Sequence, residues 1–558
     1  MSPAEEHKVA QTEQPTQGLL PGRSRLFSAL AGPAASRPSG TPPILSSDKL
    51  HSSEKWFFCL AILFGVFLRL DGFWKPSLWL DELSTAWIVT SNDWSTLWRH
   101  SSMALQPPLY FAIVKLSLVF GSTEFYLRLP SVVFGLATIA TLMIALRLVA
   151  GARAALYGGA IFALTSAAIC HSLEARNYAL VLFETTVSIC LFIGNLQSAS
   201  RWKLVGYAVV TLLVAYTHVI YTCVLFGQLA VALCYYLAAQ KRPPVLRPLL
   251  GTQAILVLLL APLLPLFLSM ARHAHAGMDS FISRPNFDFW RGLLTHPEFA
   301  AALILVLLSL PRVWGLRHRF RGLSVAPKAF LGLGAAYIAM FPAAVVSAGA
   351  GGVNILLSRY LLLPVVGAAM VVAFVVARMD DRGLRRALGA FIAVLAVLQL
   401  IAWRYVGVRV GNRDWRGAIT WVQEHYRPGD VVLLRSGLIE AKYLPLDDPG
   451  AQEYLALPLC GYYDRGGMTV FNLPWSADQL YTGRLTPPAV REQIQRAPQI
   501  FFLVSTPPHR SWDWGSQERW MQHPGQPRRR VEERFFRGLE VRVYRLAEGN
   551  VDQLSSGD

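Results

Sequence analysis

Charged residues are scarce in this sequence. Only 16% of the 558 residues are charged, whereas 53% are hydrophobic; soluble domains carry about a quarter charged residues. Apolar runs recur along the chain, and about 20 such residues are needed to cross a bilayer. This composition excludes an ordinary soluble enzyme and predicts a helical protein with many membrane spans.

Cysteine pairs and nucleotide-binding motifs are also lacking. The six cysteines are scattered, with no Cys-x-x-Cys pair and no Cys/His cluster. Neither a structural zinc site nor a disulfide framework is therefore indicated. No strand is followed by Gly-x-Gly-x-x-Gly, and no P-loop sequence occurs. A nucleotide-dependent mechanism has no support in these motifs.

The basic excess has a membrane explanation. The formal net charge is +17, but many of the basic residues lie in short loops between apolar segments. Lys and Arg in such loops are typical of the cytoplasmic side of a membrane protein. We therefore expect anionic lipid, and not nucleic acid, to face this charge.

The apolar segments predict about eleven transmembrane helices. Residues 107–120 are apolar but too short to cross, and we interpret them as an interfacial or re-entrant helix. With that choice every strongly basic short loop falls on the cytoplasmic side. The predicted spans are 56–73, 129–148, 154–170, 178–195, 204–217, 221–237, 249–270, 300–310, 330–348, 361–376 and 388–403.

The polar ends of the chain differ from each other. Residues 1–54 are rich in Pro, Ser, Gly and Ala and predict a disordered cytoplasmic tail, and 549–558 a second disordered tail. The membrane domain occupies 55–405, with a first outer loop at 74–128. Residues 406–548 predict a small periplasmic α/β domain. Its expected elements are a helix at 414–426 and strands at 431–434, 500–504 and 539–544.

Acidic and basic residues concentrate in loops that this topology places on the outer face. Asp81 and Glu82, in Trp79-Leu80-Asp81-Glu82, are candidates for a general base at the membrane boundary; the alternative is that they cap a short helix. Arg176 and Arg359 suit an anionic phosphate, although either could be a snorkelling anchor.

The sequence also gives predictions for Glu174, Arg128 and His218, which lie near the ends of predicted spans. Glu174, in Glu174-Ala175-Arg176-Asn177-Tyr178, is a costly ionisable group near membrane depth and therefore a functional candidate. Arg128 lies at the start of a predicted span and is more typical of an interfacial anchor than of a residue that binds a ligand. His218 lies at an outer turn between two spans, where a histidine is more often an interfacial side chain than a functional residue. The histidines after the seventh span are too irregularly spaced to predict a metal site.

Several short motifs, in order, resemble those of a known family. They are Trp79-Leu80-Asp81-Glu82, Pro107-Pro108-Leu109-Tyr110, Glu124 to Pro130 after Gly121, Glu174 to Tyr178, Thr217-His218, Ser358-Arg359-Tyr360 and Asp414-Trp415-Arg416. Over residues 56–435 the chain resembles the GT-C glycosyltransferases, and within them the group of protein O-mannosyltransferases and lipid A aminoarabinose transferases.

The resemblance implies transfer of a sugar from a polyprenyl-phosphate donor to a lipid, glycan or protein acceptor. It implies Asp81 as the base of an inverting attack, with Glu82 supporting it or binding acceptor. Arg359, Tyr360 and Arg176 would bind the donor phosphate, and Glu174 with His218 would orient the acceptor or a metal. Gln106 stands where the family often has His, so the use of a divalent cation is left open. The expected location is the bacterial inner membrane, with the site on the periplasmic side.

Two other functions remain open on the sequence. A lipid-glycan transporter or flippase would also carry charges in a membrane domain, although we find no inverted repeat. A noncatalytic member of the family would use the outer domain for binding or assembly. The intact Asp81, Glu174 and Arg359 favour an enzyme.

Overall fold

Helices dominate the protein. In the computed structural model, the described residues are 51–198, 200–238, 244–268, 323–349, 359, 362–379, 381–406, 413–442, 444, 448–459, 462–464, 466–476, 488–505, 513–521 and 528–546. Residues 1–50 of the predicted first tail, the predicted second tail and the predicted eighth span, 300–310, lie outside these residues, whereas 52–54 belong to the first helix.

Ten of the eleven predicted spans coincide with helices in the described part of the chain. The membrane helices are α1 (Ser52–Leu70), α5 (Glu124–Ala150), α6 (Ala152–Leu164) with α7 (Ser166–Ser172), α8 (Tyr178–Gln197), α9 (Arg201–Thr217), α10 (Cys223–Ala238), α11 (Leu246–Leu259), α12 (Val325–Gly349), α13 (Leu362–Met379) and α14 (Arg382–Ile401).

Length and hydropathy support membrane insertion of several of these helices. Among the described residues, five helical segments are long and apolar enough to cross a bilayer, namely 124–150, 178–197, 219–238, 246–268 and 382–404. A sixth is a bent pair, because α6 and α7 meet at 67° where Thr165 takes an extended backbone conformation. The protein is thus a helical membrane protein, while the total of eleven spans stays a prediction.

The first loop contains three short helices. They are α2 (Leu80–Val89), α3 (Trp94–Met103) and α4 (Leu109–Ser117). Helix α4, with the 3-10 turn Leu118–Phe120 that follows it, covers 109–120 and is too short for a span. Its buried side chains Tyr110, Phe111 and Val114 pack within the loop's own core.

A five-stranded sheet follows the membrane part. Its strands are β1 (Val431–Arg435), β2 (Thr469–Asn472), β3 (Gln499–Ser505), β4 (Arg528–Phe536) and β5 (Leu539–Leu546), in the order β2-β1-β3-β5-β4. β1 pairs in parallel with β2 and β3, whereas β5 is antiparallel to β3 and β4. The helices are α15 (Trp415–His425), α16 (Pro449–Leu455), α17 (Pro488–Arg496) and α18 (Trp514–Met521).

The small sheet was predicted, but two of its strands were not. β1, β3, β5 and α15 lie where the sequence predicted strands and a helix. β2 has only four residues and β4 is largely exposed. Both are edge strands, so neither needs the apolar alternation that marks a strand with a buried face.

One face of this sheet shares a hydrophobic core with the first loop. Val432, Leu434, Phe501 and Leu503 belong to the same buried cluster as Leu78, Leu83 and Trp87. The opposite face, with Leu433 and Phe502, packs with α17 and Trp514. Because the shared core is continuous, the sheet is held directly against the segment that carries Asp81 and Glu82.

Candidate active site

Asp81 lies in the first turn of α2, where the helix dipole favours a carboxylate. Its Oδ2 atom accepts a hydrogen bond of 2.7 Å from Arg359 Nη1. Its side chain is 25% exposed and that of Arg359 is 24% exposed. Arg176 Nη1 donates to the Asp81 carbonyl oxygen at 3.0 Å. Three segments that are distant in sequence therefore meet at Asp81, Arg359 at its carboxylate and Arg176 at its backbone carbonyl.

Glu82 has a different environment from its neighbour. It is buried, and its carboxylate accepts two hydrogen bonds from Arg128, at 2.7 and 2.6 Å. The backbone amides of Ala175 and Trp79 donate to it as well, at 2.8 and 3.3 Å. With these partners, Glu82 joins the first loop to the start of α5 and to the loop before α8.

This arrangement corrects the prediction for Arg128. The side chain is not an interfacial anchor that extends to lipid headgroups, because it is 2% exposed and bonded to Glu82. It also donates to the carbonyl oxygens of Phe73, Pro76 and Ser77. The buried Glu82 carboxylate accounts for this position, because a bidentate carboxylate partner stabilises a guanidinium more than solvent does.

Glu174, in the loop between α7 and α8, pairs with His171 near the end of α7. The His171 Nδ1 and Glu174 Oε2 atoms lie 3.0 Å apart. Burial raises the pKa of Glu174, and the hydrogen bond to His171 only partly offsets this. Its carboxyl group therefore takes up a proton more readily than an exposed one.

Arg176 is also buried, and its Nε atom has no hydrogen-bond partner among the described residues. Burial lowers the pKa of Arg176, but Asp81 and Tyr178 together raise it by more, so the net shift of this pKa is upward. A charged guanidinium with an unused donor is suited to a ligand oxyanion.

His218 follows α9 and lies near the same arginines. Its ring centroid is 5.5 Å from that of Tyr178 and 5.3 Å from that of Tyr221. Burial, together with Arg176 and Arg359, lowers the pKa of His218 to about 3. The imidazole is consequently neutral at physiological pH, and its Nδ1 accepts a hydrogen bond from the Ile220 amide at 3.3 Å.

One residue of the predicted site lies outside the described residues, and one residue near the site was not predicted. Tyr360, predicted to bind phosphate with Arg359, lies outside the described residues, as do the histidines after the seventh span. Arg413, which the sequence analysis missed, is mostly buried, and burial lowers its pKa while the charge of Asp81 raises it. Its position directly before the Asp414-Trp415-Arg416 motif was the available signal.

The described residues do not fit a divalent cation at this place. In the part of the chain that the structure describes, no three His, Cys, Asp or Glu side chains group as metal ligands. The Glu82 carboxylate is occupied by Arg128, and Asp81 is bonded to Arg359. A cation would meet the positive charge of Arg176 and Arg359 there, which opposes its binding.

Comparison with known proteins gives matches among solved structures. No family model and no curated protein sequence matches the chain. ArnT from Cupriavidus metallidurans in the apo state is 16% identical, with 91% of this chain and 100% of that chain covered and a TM-score of 0.49. The same protein bound to undecaprenyl phosphate is 14% identical, with 89% and 99% covered and a TM-score of 0.48.

An oligosaccharyltransferase from Archaeoglobus fulgidus, in complex with Zn and sulfate, is 12% identical. There 80% of this chain and 67% of that chain are covered, with a TM-score of 0.44. The solved structures that this chain resembles are thus an ArnT protein and an oligosaccharyltransferase.

Proposed function

We propose that this protein is a membrane glycosyltransferase that moves a sugar from a polyprenyl-phosphate donor to an acceptor hydroxyl. The observation that carries the proposal is the meeting of two guanidinium groups at Asp81, that of Arg359 at the partly accessible carboxylate and that of Arg176 at the backbone carbonyl. A base beside a phosphate-binding pair is what displacement of a lipid phosphate by a hydroxyl requires.

Each charged residue of the site has one role in the proposed reaction. Asp81 takes the proton of the acceptor hydroxyl while the acceptor oxygen attacks the anomeric carbon. The bond from that carbon to the phosphate oxygen breaks with inversion, and the phosphate leaves with the electron pair. Arg359 and Arg176 stabilise the charge that grows on the leaving group, because guanidinium groups bind phosphate oxygens bidentately.

The Asp81–Arg359 ion pair explains how donor binding prepares the base. In the structure, Arg359 Nη1 is bonded to Asp81 Oδ2 at 2.7 Å. A donor phosphate competes for this guanidinium and thereby releases the carboxylate for the acceptor hydroxyl. The base thus becomes available when the leaving group is in place.

The remaining predicted residues act around this pair. The contacts of Glu82 support a positioning role for it in place of acceptor binding. Glu174 and His218, near Arg176, orient the acceptor through hydrogen bonds, with His218 as a neutral imidazole. We place the reaction on the extracytoplasmic face of the inner membrane, because that location leaves the basic short loops in the cytoplasm.

The test compares Asp81→Asn with Asp93→Asn in purified protein reconstituted into liposomes. Asp93 lies in the same loop but is exposed and caps α3, and Asn is an equally good cap. With a labelled polyprenyl-phosphate sugar and a membrane glycolipid extract as acceptor, Asp81→Asn should lower transfer by about 100- to 10,000-fold. Asp93→Asn should retain wild-type transfer.

Three results would overturn the proposal. An active Asp81→Asn variant removes the assigned base. Movement of labelled lipid across the bilayer without product identifies a flippase. Absence of both, with every donor and acceptor fraction, identifies a noncatalytic protein.

A further inference from the structure

The segment before Asp81 is held by residues from two different parts of the chain. On the membrane side, Arg128 donates to the Pro76 and Ser77 carbonyl oxygens at 2.9 and 3.2 Å. On the other side, the Leu78 amide donates to the Tyr463 hydroxyl at 2.8 Å. Tyr463 is far along the chain, between α16 and β2 of the small sheet domain.

Tyr463 is itself held by a second buried contact. Its hydroxyl donates to Glu124 Oε1 at 3.0 Å, at the start of α5. Burial raises the pKa of Tyr463 well above its ordinary range, so the hydroxyl keeps its proton and can serve both bonds at once. The Tyr463 hydroxyl therefore joins the first loop to a membrane helix.

Arg416 strengthens the same connection from the start of α15. Its guanidinium donates to Glu124 Oε1 at 2.9 Å and to the Pro76 carbonyl at 3.3 Å. Its backbone amide donates to the Ser77 hydroxyl at 3.0 Å. Pro76, Ser77 and Leu78 thus each have a partner in the sheet domain.

Any shift of this segment reaches Asp81 directly. Leu78 is fully buried in the core that the first loop shares with the sheet, and α2 begins two residues later at Leu80. Asp81 is the second residue of that helix, so the position of the helix start determines where its carboxylate lies.

We propose that Tyr463 is a positioning residue for Asp81, through which the C-terminal sheet domain sets the geometry of the active site. This inference rests on the proposed function, because it concerns the base of that reaction. A displacement of about 1 Å at a reacting group can lower a rate by about 100-fold. The sheet domain is therefore a working part of the catalytic centre and not only an accessory to acceptor choice.

The experiment compares Tyr463→Phe with Tyr462→Phe in the full-length protein. Tyr462 is adjacent, but its hydroxyl donates to the Ser122 carbonyl at 3.2 Å and, among the described residues, makes no hydrogen bond to the 76–82 segment. Hydrogen exchange of the backbone amides within 76–83 measures the mobility of this segment, and steady-state kinetics measure sugar transfer. Binding of undecaprenyl phosphate and thermal unfolding show whether the donor site and the fold are intact.

We expect Tyr463→Phe to accelerate amide exchange at Leu78 and to lower kcat about 10- to 100-fold. The donor KM, the affinity for undecaprenyl phosphate and the unfolding temperature should stay at wild-type values. Tyr462→Phe should match wild type in every measurement. A merely structural role would lower stability and donor affinity together with kcat.

Unchanged exchange at 76–83, or an unchanged kcat, in Tyr463→Phe overturns the inference. Failure of the proposed function gives a different pattern, in which wild type and Asp81→Asn transfer equally little sugar. In that case the exchange measurement still decides whether Tyr463 holds the segment before Asp81.

Discussion

Arg128 and Glu82, 46 positions apart, form a bidentate ion pair in which both side chains are almost completely buried. The adjacent Asp81 is partly accessible and pairs with a residue 278 positions away. Two neighbouring carboxylates therefore have different environments, and the difference separates a structural role from a proposed chemical one.

The first prediction concerns the stability that depends on this pair. Removing one partner of a buried ion pair leaves the other charge uncompensated, which costs about 3–5 kcal/mol. Glu82→Gln should therefore lower the free energy of unfolding by an amount in this range, whereas Asp81→Asn should change it little. Denaturant unfolding in detergent micelles measures both. A Glu82→Gln protein that is fully stable but inactive would instead assign a chemical role to Glu82.

The second prediction concerns the donor phosphate. Hydrogen bonds to charged groups contribute about 1.5–3 kcal/mol, so Arg359→Gln and Arg176→Gln should each weaken binding of undecaprenyl phosphate about 10- to 100-fold. Titration of the reconstituted protein with this lipid measures the affinity. Arg99→Gln is the control, because Arg99 is exposed and faces Glu453 at the far end of α3. Equal affinities in all variants would remove the arginines from the donor site.

The third prediction concerns pH. The folded-state pKa of His218 is lowered from 6.5 to about 3, so the unfolded chain takes up a proton that the folded protein does not. The stability that neutral His218 contributes is therefore present above pH 6.5 and is lost as pH falls toward 3. His218→Gln should lose less stability than wild type across this window in thermal unfolding. Parallel curves for the two proteins would contradict the assigned burial.

The fourth prediction concerns helix packing. A Cβ atom at Gly65 of α1 would lie 2.5 Å from the Ala163 carbonyl oxygen of α6, whereas one at Gly389 of α14 would meet nothing within 4 Å. Gly65→Ala should destabilise the protein by about 1–3 kcal/mol through overpacking. Gly389→Ala should stabilise it by about 0.5–1 kcal/mol, because Ala favours the helix. Thermal unfolding of both variants measures the contrast, and equal effects would exclude close packing at Gly65.

Local features of the sequence predicted much of the fold. Hydropathy and basic loops located helices at ten of eleven predicted spans because partitioning into lipid depends on consecutive residues. The buried strands β1, β3 and β5 were found for a similar reason, since β1 and β3 are contiguous apolar runs and β5 alternates apolar with charged residues. The edge strands β2 and β4 were missed because their exposure removes that signal.

The motifs predicted a group of charged residues without distinguishing their environments. Asp81, Arg176 and Arg359 were predicted as a group, and the structure brings them together. Glu82 was treated as a companion of Asp81, although its side chain faces Arg128. Neighbours in sequence point in different directions on a helix, so adjacency could not decide which carboxylate is accessible.

The sequence by itself thus determined that the chain is a helical membrane protein with a small sheet and a charged first loop, because these properties depend on local hydropathy and spacing. Only the tertiary structure decided that Arg128 is buried against Glu82 and that Tyr463 holds Leu78. Those contacts join residues 46 and 385 positions apart. The first arises where the first loop meets the start of α5 and the second where the sheet domain packs against that loop, and no local pattern encodes either packing.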